Sequence, residues 1–527
     1  MKKTGVAIWI ICFAGIALSQ TVTYQTSKMP ASKMGKINLQ NIQDDWMPLL
    51  QNLEMPKPGS ERANLIKIKK EIAEKYTRKK NNDLLKTLAP DTAPTPLLRR
   101  NFKGNNPAGI PNDNSMAVSG NGILISATNS IINIYDTDKD SLIKAISLSY
   151  FSSLLGLSNL GTGKYDPKMV YDPLEDRFIL VFLYEFTWEK SKIIVCFTES
   201  NDPTGNWNYY ALSGNPINDS TWSDYPAIAI TKNELFITMN LLKNGLPWQT
   251  GFVQTVIWQL DKNSGYQGDS IINTQLWSGI SYDSTKIRNL HPVTGGSTPY
   301  GPNEYFVSNR NFTYLSDSIF IVEITDTINS PSAVMKIKLG HTSPMYGVPP
   351  FARQANGHEF DTNDGRVLGA FLENGQIQFV SNTIDTSTGN AAVYHGFISG
   401  LDSSVKVSGN ILGDTLLDLG YPNISYSGQN NCDNEAIITV NHTAPTVFAG
   451  FSAIYYSNVG NYSRIMKIKE GDNIVDKISG TYERWGDYSG SQRKYNAPGT
   501  VWAAGYYGDS LKRNGTWIGE LKSVDST

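Results

Sequence analysis

The 527-residue sequence is poor in net charge, in long hydrophobic runs and in cysteine, and each shortage narrows what the protein can be. Its 46 basic and 48 acidic side chains give a formal net charge of −2, so the chain lacks the excess of positive charge that is typical of nucleic-acid-binding proteins. Beyond the N-terminus, no stretch approaches the roughly 18 apolar residues of a membrane-spanning helix. The sequence therefore predicts a mature protein that is soluble, has no transmembrane segment and does not bind nucleic acid.

Familiar reactive motifs are also lacking. The sequence has no Walker loop, no dinucleotide fingerprint and no G-x-S-x-G nucleophile elbow. Its 5 histidines show no zinc-ligand spacing, which disfavours a zinc enzyme. Cys196 lies in an apolar run and Cys432 in a polar one, and we interpret them as a buried strand residue and a loop residue rather than as a disulfide.

The N-terminus has the pattern of an export signal. Lys2 and Lys3 form a positive start, residues 6–18 form an apolar segment, and residues 17–19 form a small-x-small cleavage site. A membrane anchor is the alternative, but about thirteen apolar residues are too few to cross a bilayer. We expect residues 1–19 to be removed and the protein to be exported to the periplasm, the outer membrane or the medium.

Residues 20–96 differ from the rest and are predicted to form a helical extension with a proline-rich linker. Residues 42–53 favour a short helix, and residues 61–85 favour a longer one with apolar side chains at helical spacing. The other face of the longer helix is basic, with Lys67, Lys69, Lys70, Lys75, Arg78, Lys79 and Lys80. Either this face binds an anionic surface or an acidic partner, or it is the solvated side of a helix packed on the main domain.

Residues 97–527 are predicted to form one large all-β domain. The chain is rich in turn and strand formers, with 45 Gly, 27 Tyr and 11 Trp. Short apolar strands recur between turns, for example at residues 122–126, 131–135, 178–182 and 235–239. A β domain of this size is too large for a single sandwich, which points to internal repeats.

The repeats are irregular, and each begins with a marked turn that leads into a short apolar strand. These turns lie at Asp113, Asp166, Asp224, His291, Pro350, Pro422 and Asp487. Seven such units predict a seven-bladed β-propeller, in which four-stranded blades bury their faces against each other around a central channel. Six or eight blades are left open, because the fourth and fifth repeats are poorly marked.

Several segments carry a family resemblance. In chain order they are PNDNSMAV at 111–118, DPKMVYD at 166–172, DPTGNW at 202–207, DYP at 224–226 and RWGDYS at 484–489. Together they resemble a widespread family of secreted bacterial β-propeller proteins with no settled activity, over roughly residues 102–521. Many relatives of this kind end in a sorting domain for type IX secretion. This sequence ends at Thr527, soon after its last strand-like run, without such a domain, which argues against simple surface attachment and leaves periplasmic residence or a role in an envelope assembly open.

The recurring acids Asp113, Asp166, Asp224 and Asp487 mark the strand starts that ring one mouth of a propeller channel. They either fix the corners structurally, bind a hard cation such as Ca²⁺, or act as acid and base on a glycan. Aromatic residues lie beside them and favour either sugar stacking or packing between blades: Tyr165, Trp222, Tyr225, Trp485 and Tyr488.

These patterns predict an exported, non-catalytic propeller that binds a protein or glycan of the envelope or cell surface. The candidate ligand-binding residues are Asp113, Asp166, Asp224, Asp487, Tyr225, Trp485 and Tyr488. No cofactor is required, and Ca²⁺ is the only one the pattern suggests. A glycan-active hydrolase or lyase with a carboxylate-lined mouth is the alternative. A third hypothesis makes the protein a subunit of an envelope or secretion assembly, with helix 61–85 as its docking element.

Overall fold

The computed structural model describes residues 21–43, 60–79, 93–106, 108–157, 163–246, 250–355, 357–430, 432–478 and 482–524. The predicted signal segment and residues 44–53 of the predicted short helix lie outside these ranges. Within them, no helix is both long and apolar enough to cross a membrane.

The N-terminal extension contains strands as well as a helix, which the prediction of a helical extension did not include. Its elements are β1 (Val22–Lys28), β2 (Ala31–Asn38) and α1 (Ser60–Lys75), followed by β3 (Leu97–Lys103). The helix ends at Lys75, and the described residues that follow it, 76–79, are not helical.

The first three blades follow in chain order. Blade 1 has β4 (Ser115–Val118), β5 (Ile123–Thr128), β6 (Ile131–Asp136) and β7 (Ser141–Ser147), and then the short helix α2 (Leu148–Phe151). Blade 2 has β8 (Lys164–Asp172), β9 (Arg177–Tyr184), β10 (Lys192–Thr198) and β11 (Asn206–Ser213). Blade 3 has β12 (Thr221–Ile230), β13 (Glu234–Lys243), β14 (Phe252–Asp261) and β16 (Thr274–Tyr282). The short elements α3 (Lys262–Gln267) and β15 (Ile271–Ile272) lie between β14 and β16, and β17 (Thr285–Lys286) follows β16.

The remaining blades complete the ring. Blade 4 has β18 (His291–Pro292), β20 (Glu304–Asn309), β21 (Ser316–Ile324) and β22 (Met335–Tyr346), with β19 (Thr294–Gly295) after its first strand. Blade 5 is preceded by β23 (Ala352–Arg353) and β24 (Glu359–Asp361) and has β25 (Val367–Glu373), β26 (Gln376–Ile384), β27 (Ala391–Ser399) and β28 (Lys406–Leu412). Blade 6 has β29 (Asp418–Tyr426), β30 (Ala436–Ala444), β31 (Val447–Tyr456) and β32 (Met466–Lys469). After β33 (Tyr482–Arg484), blade 7 has β34 (Gly490–Arg493), β35 (Thr500–Gly508) and β36 (Asn514–Lys522).

The described residues thus form a seven-bladed β-propeller, as the repeats predict. The innermost strands contact one another in the order β4, β8, β12, β18, β25, β29 and β34, and β34 returns to β4. Blade 7 takes its outermost strand, β3, from the N-terminal side of the chain, so the two ends of the domain meet in one sheet. Strands β2 and β1 pair with β11 and β16 and widen blades 2 and 3.

The hydrophobic core lies between neighbouring blades rather than in one central mass. Each facing pair of sheets contributes a cluster of its own, and the last cluster joins blade 7 to blade 1. Because both faces of most blades are covered, a strand such as β13 is buried along almost its whole length. This explains the continuous apolar runs in the sequence.

One predicted repeat start is wrong. Pro350 lies well before the inner strand of blade 5, because an insertion that carries β23 and β24 comes between them. Strand β24 pairs in parallel with β33, so the two insertions before blades 5 and 7 form a small accessory sheet with β23. The turn that leads into blade 5 is formed instead by Asn363 and Asp364.

Cys196 is buried in β10 and Cys432 is exposed, and both are free thiols, as expected. Lys69 does not belong to the solvated face of α1, because its side chain is buried. Lys67, Lys70, Lys75 and Lys79 are exposed.

Candidate functional site

The candidate site is the mouth of the propeller at the starts of the inner strands. Residues with left-handed backbone occur at six of these starts: Asp113, Asp166, Tyr225, Asn289, Asn363 and Tyr421, with φ between 50° and 55°. This region costs most side chains energy, although Asn and Asp tolerate it best. In blades 2, 3 and 6 the strand pairing also skips at this point, as in a β-bulge. Such bulges redirect side chains, here toward the mouth.

All four predicted acids line one pocket at this mouth, together with Tyr225. Asp113 is fully buried, and its Oδ1 accepts a hydrogen bond from the backbone N–H of Asp487 (2.8 Å). The side-chain amide of Asn129 donates to Asp113 Oδ2 (2.7 Å) and accepts from the backbone N–H of Asp166 (2.8 Å). Asn129 therefore ties the starts of blades 1 and 2 together, a role that the sequence did not indicate.

Asp166 differs from its neighbours in having no hydrogen-bond partner for its carboxyl group. The residue is 8% exposed and faces the pocket, yet neither carboxyl oxygen accepts a hydrogen bond from the described residues. Burial, and then the nearby charges of Asp113 and Asp224, raise the pKa of Asp166 well above its usual value. The carboxyl faces the pocket, so its hydrogen bonds have to come from solvent or from a group that enters the pocket.

The other mouth carboxyls are also perturbed. Burial, followed by repulsion from Asp487, raises the pKa of Asp113 to about 7 and that of Asp224 to about 6. Both groups therefore change charge close to neutral pH. Perturbed titratable groups in a concave site are a common feature of functional sites, although structural ion networks show them too.

Cations are interleaved with these acids. Arg484 donates to both oxygens of Asp487 (3.0 and 2.9 Å). Arg366 forms a bidentate pair with Asp364 (2.9 and 2.7 Å), and its guanidinium carbon lies 4.2 Å from the ring centroid of Tyr225. Arg366 was not predicted as a mouth residue, because the insertion before blade 5 separates the predicted repeat start at Pro350 from the turn that Arg366 follows.

Two of the predicted aromatic ligand residues are not available at the mouth. Trp485 is fully buried and stacks on Phe360 at 5.2 Å between ring centroids, so it belongs to the core. Tyr488 is 3% exposed, donates its hydroxyl to the carbonyl of Pro167 (3.0 Å) and lines the channel below. The ammonium group of Lys168 covers the Tyr488 ring, 2.8 Å from its centroid.

The central channel begins below this layer. A second pocket is lined by the inner strands of all seven blades and includes Lys168 and His291. Burial lowers the pKa of Lys168 to about 7 and that of His291 to about 3. His291 is therefore neutral at physiological pH.

Helix α1 partly covers the mouth. Leu65 lines the pocket, and Leu65 and Ile72 pack in a small cluster with Val348 and Ile384. Lys69 reaches down from the same face. Its Nζ donates to the Pro349 carbonyl (2.9 Å) and the Thr362 hydroxyl (2.6 Å) and lies 3.8 Å from Asp361 Oδ1.

The mouth acids do not form a metal-ligand group in this structure. Among the described residues, the one group of three or more His, Cys, Asp or Glu side chains whose ligand atoms lie within 4.8 Å of one another consists of His358, Asp476 and Glu483. The prediction of Ca²⁺ at the mouth stays a prediction.

Comparisons with known proteins give distant matches. No family model matches the chain, and no curated protein does. A chain of a mitotic checkpoint complex is 10% identical with a TM-score of 0.36, over 84% of this chain and all of that one. An α-L-arabinanase of Penicillium chrysogenum is 11% identical (TM-score 0.36; 82% and 98% covered), and a polysaccharide lyase is 9% identical (TM-score 0.37; 84% and 95% covered). Similarities at this level do not identify what this chain binds or converts.

Proposed function

We propose that the protein is an exported, non-catalytic β-propeller whose acidic mouth binds a basic group of a partner protein. The observation that carries this proposal is the carboxyl of Asp166, which faces the pocket and accepts no hydrogen bond from the described residues. A lysine ammonium or an arginine guanidinium supplies the donors and the charge that such a group lacks.

A protein partner is favoured over a glycan by the state of the aromatic rings. Sugar binding relies on open ring faces, but here Lys168 covers Tyr488 and Arg366 lies over Tyr225. Trp485 is enclosed in the core.

The chain itself offers an example of the proposed contact. The ammonium group of Lys69 is held at the rim of the same mouth by a carbonyl, a hydroxyl and a nearby carboxylate. A basic side chain of a partner that enters the mouth meets the same kinds of acceptor.

The glycan-active alternative is favoured by one observation, the pKa values near neutrality of Asp113 and Asp224. A carboxyl group that stays protonated near pH 7 is what a general acid needs. In that case the mouth opens only when α1 moves away.

A comparison of variants tests the proposal. The full-length protein, Asp166→Asn and the exposed control Asp402→Asn are purified from envelope fractions, and the proteins that accompany them are quantified by mass spectrometry. We expect one or more stoichiometric partners to be lost with Asp166→Asn and kept with Asp402→Asn. An identical partner set for all three overturns the proposal. Glycan cleavage by the wild type that disappears in both Asp224→Asn and Asp487→Asn establishes the enzyme alternative instead.

A further inference from the structure

Three potential metal ligands meet at the accessory sheet beside the mouth. His358 comes directly before β24, and Glu483 lies in β33 opposite Phe360 of β24. Asp476 lies in the segment between β32 and β33, where its backbone N–H donates to the carbonyl of Lys512 (3.2 Å). Two separate insertions of the propeller therefore bring the three side chains together.

The three ligand atoms lie close together, although slightly farther apart than around a bound ion. One ligand atom from each of the three residues lies within 4.8 Å of the other two. His358 Nδ1 lies 3.9 Å from Asp476 Oδ1. Ligand atoms around one zinc ion lie closer together than this, since each bond measures about 2.0–2.2 Å. The side chains of His358 and Asp476 are 35% and 45% exposed, and we expect small rotations of both to close this gap when an ion binds.

The carboxylate of Glu483 gives a second, independent reason to place an ion here. The residue is fully buried, and its Oε1 accepts hydrogen bonds from the backbone N–H groups of Lys477 (2.7 Å) and Ile478 (2.9 Å). Its Oε2 is buried and has no hydrogen-bond partner among the residues that the structure describes. An oxygen of this kind, buried beside an imidazole and a second carboxylate, is costly unless a cation or a proton satisfies it.

The donor set indicates the class of metal. One imidazole nitrogen and two carboxylate oxygens suit zinc and similar divalent transition metals. Ca²⁺ prefers six to eight oxygen ligands, which three side chains of this kind do not provide. The exposure of His358 and Asp476 gives an ion access from solvent and leaves one side of the site open.

We propose that His358, Asp476 and Glu483 bind one divalent transition-metal ion of the zinc type, which ties the segment before β24 to β33. The role of the ion is structural. Strands β24 and β33 also carry Asp361 and Arg484, both of which line the mouth, so the ion stabilises one side of its rim. This site does not depend on the partner-binding role proposed above.

Binding to the full-length, metal-stripped protein tests the site, with a purification tag that contains no histidine. We expect calorimetry to give one Zn²⁺ per chain, elemental analysis to recover that ion after desalting, and Zn²⁺ to raise the unfolding temperature by at least about 2 °C. His358→Ala and Glu483→Gln should weaken binding at least about 100-fold. Glu483→Gln keeps the carbonyl oxygen that the two backbone N–H groups need, so it is expected to fold.

His341→Ala is the matched control. His341 also faces a carboxylate, with its Nδ1 3.1 Å from Asp317 Oδ2, but that pair is exposed and has no buried glutamate. The control should bind Zn²⁺ like the wild type. The proposal is overturned if the wild type binds no more Zn²⁺ than His358→Ala, or if Ca²⁺ binds at this site and Zn²⁺ does not. Loss of binding in His341→Ala alone also overturns it.

Discussion

At the scale of single residues, burial controls the acid–base behaviour of the mouth. The pKa of Asp113 rises to about 7 and that of Asp224 to about 6, whereas an unfolded Asp titrates near pH 3.9. A carboxyl whose pKa is raised by folding contributes stability below its unfolded pKa and loses that contribution as the pH rises through the folded value. As these carboxyls lose their protons, we therefore expect the free energy of unfolding to fall as the pH rises from about 4 to about 7.

Replacing Asp224 by asparagine tests this directly. The variant keeps the shape of the side chain but carries no charge at any pH. We expect equal free energies of unfolding near pH 4, and a variant that is more stable by about 1–3 kcal/mol near pH 8. Urea unfolding at both pH values measures the difference. Asp402→Asn, at an exposed position, should follow the wild type throughout. If Asp224→Asn has the same pH dependence as the wild type, the explanation by burial is wrong.

The sequence predicted some of these residues and not others for a physical reason. Asp113 and Asp166 could be found because an acid at a strand start is a local pattern that recurs along the chain. The burial of Trp485 could not be found, because it depends on Phe360 and Tyr421, which lie in other parts of the chain. The proposed metal-binding group could not be found either, because its three residues come from two separate insertions and have no characteristic spacing.

At the scale of elements, helix α1 shows how far an amphipathic pattern can be interpreted. The apolar spacing predicted the helix, and one of the two hypotheses placed it on the main domain. Leu65 and Ile72 do pack there. The pattern could not show that Lys69 points inward. A lysine is buried only where acceptors bind its ammonium group, and the Pro349 carbonyl that does so lies far away in the sequence.

Lys69→Ala should loosen the helix while leaving the propeller folded. The substitution removes two hydrogen bonds and leaves the Thr362 hydroxyl and the Pro349 carbonyl without their donor. We expect the backbone amides of residues 64–75 to exchange with deuterium about 10-fold faster or more. The propeller strands should keep their protection. Lys70→Ala, one residue further along and exposed, is the matched control and should exchange like the wild type. Equal exchange in both variants would show that Lys69 does not hold the helix on the mouth.

At the scale of the whole molecule, the number of blades could be predicted from the sequence and the closure of the ring could not. Seven blades were predictable, with six or eight left open, because most blades repeat a strand pattern that follows a marked turn. The closure was not, because β3 and β36 lie at opposite ends of the domain and only the geometry of a ring brings them together. A closed ring covers the two blade faces that an open row of blades would leave exposed, and it makes the first and last blades depend on each other.

Phe102 in β3 is the residue at which this dependence can be measured. Its ring lies 5.1 Å from Tyr135 of blade 1 and 6.2 Å from Trp502 of blade 7, between centroids, so one side chain joins both sides of the closure. We expect Phe102→Ala to lower the free energy of unfolding by about 2–4 kcal/mol. Because opening the closure exposes clusters in both blades, the unfolding should remain a single cooperative transition that moves to lower temperature.

Lys103→Ala is the control for this experiment, since Lys103 lies in the same strand with an exposed side chain. Scanning calorimetry of the three proteins compares their transitions under one buffer condition. Separate melting of blade 7 in Phe102→Ala would mean that the blades unfold independently, as in an open solenoid, and that β3 does not unite the ring. A single shifted transition, together with an unchanged control, would mean that the stability of every blade depends on a strand from the N-terminal side of the domain.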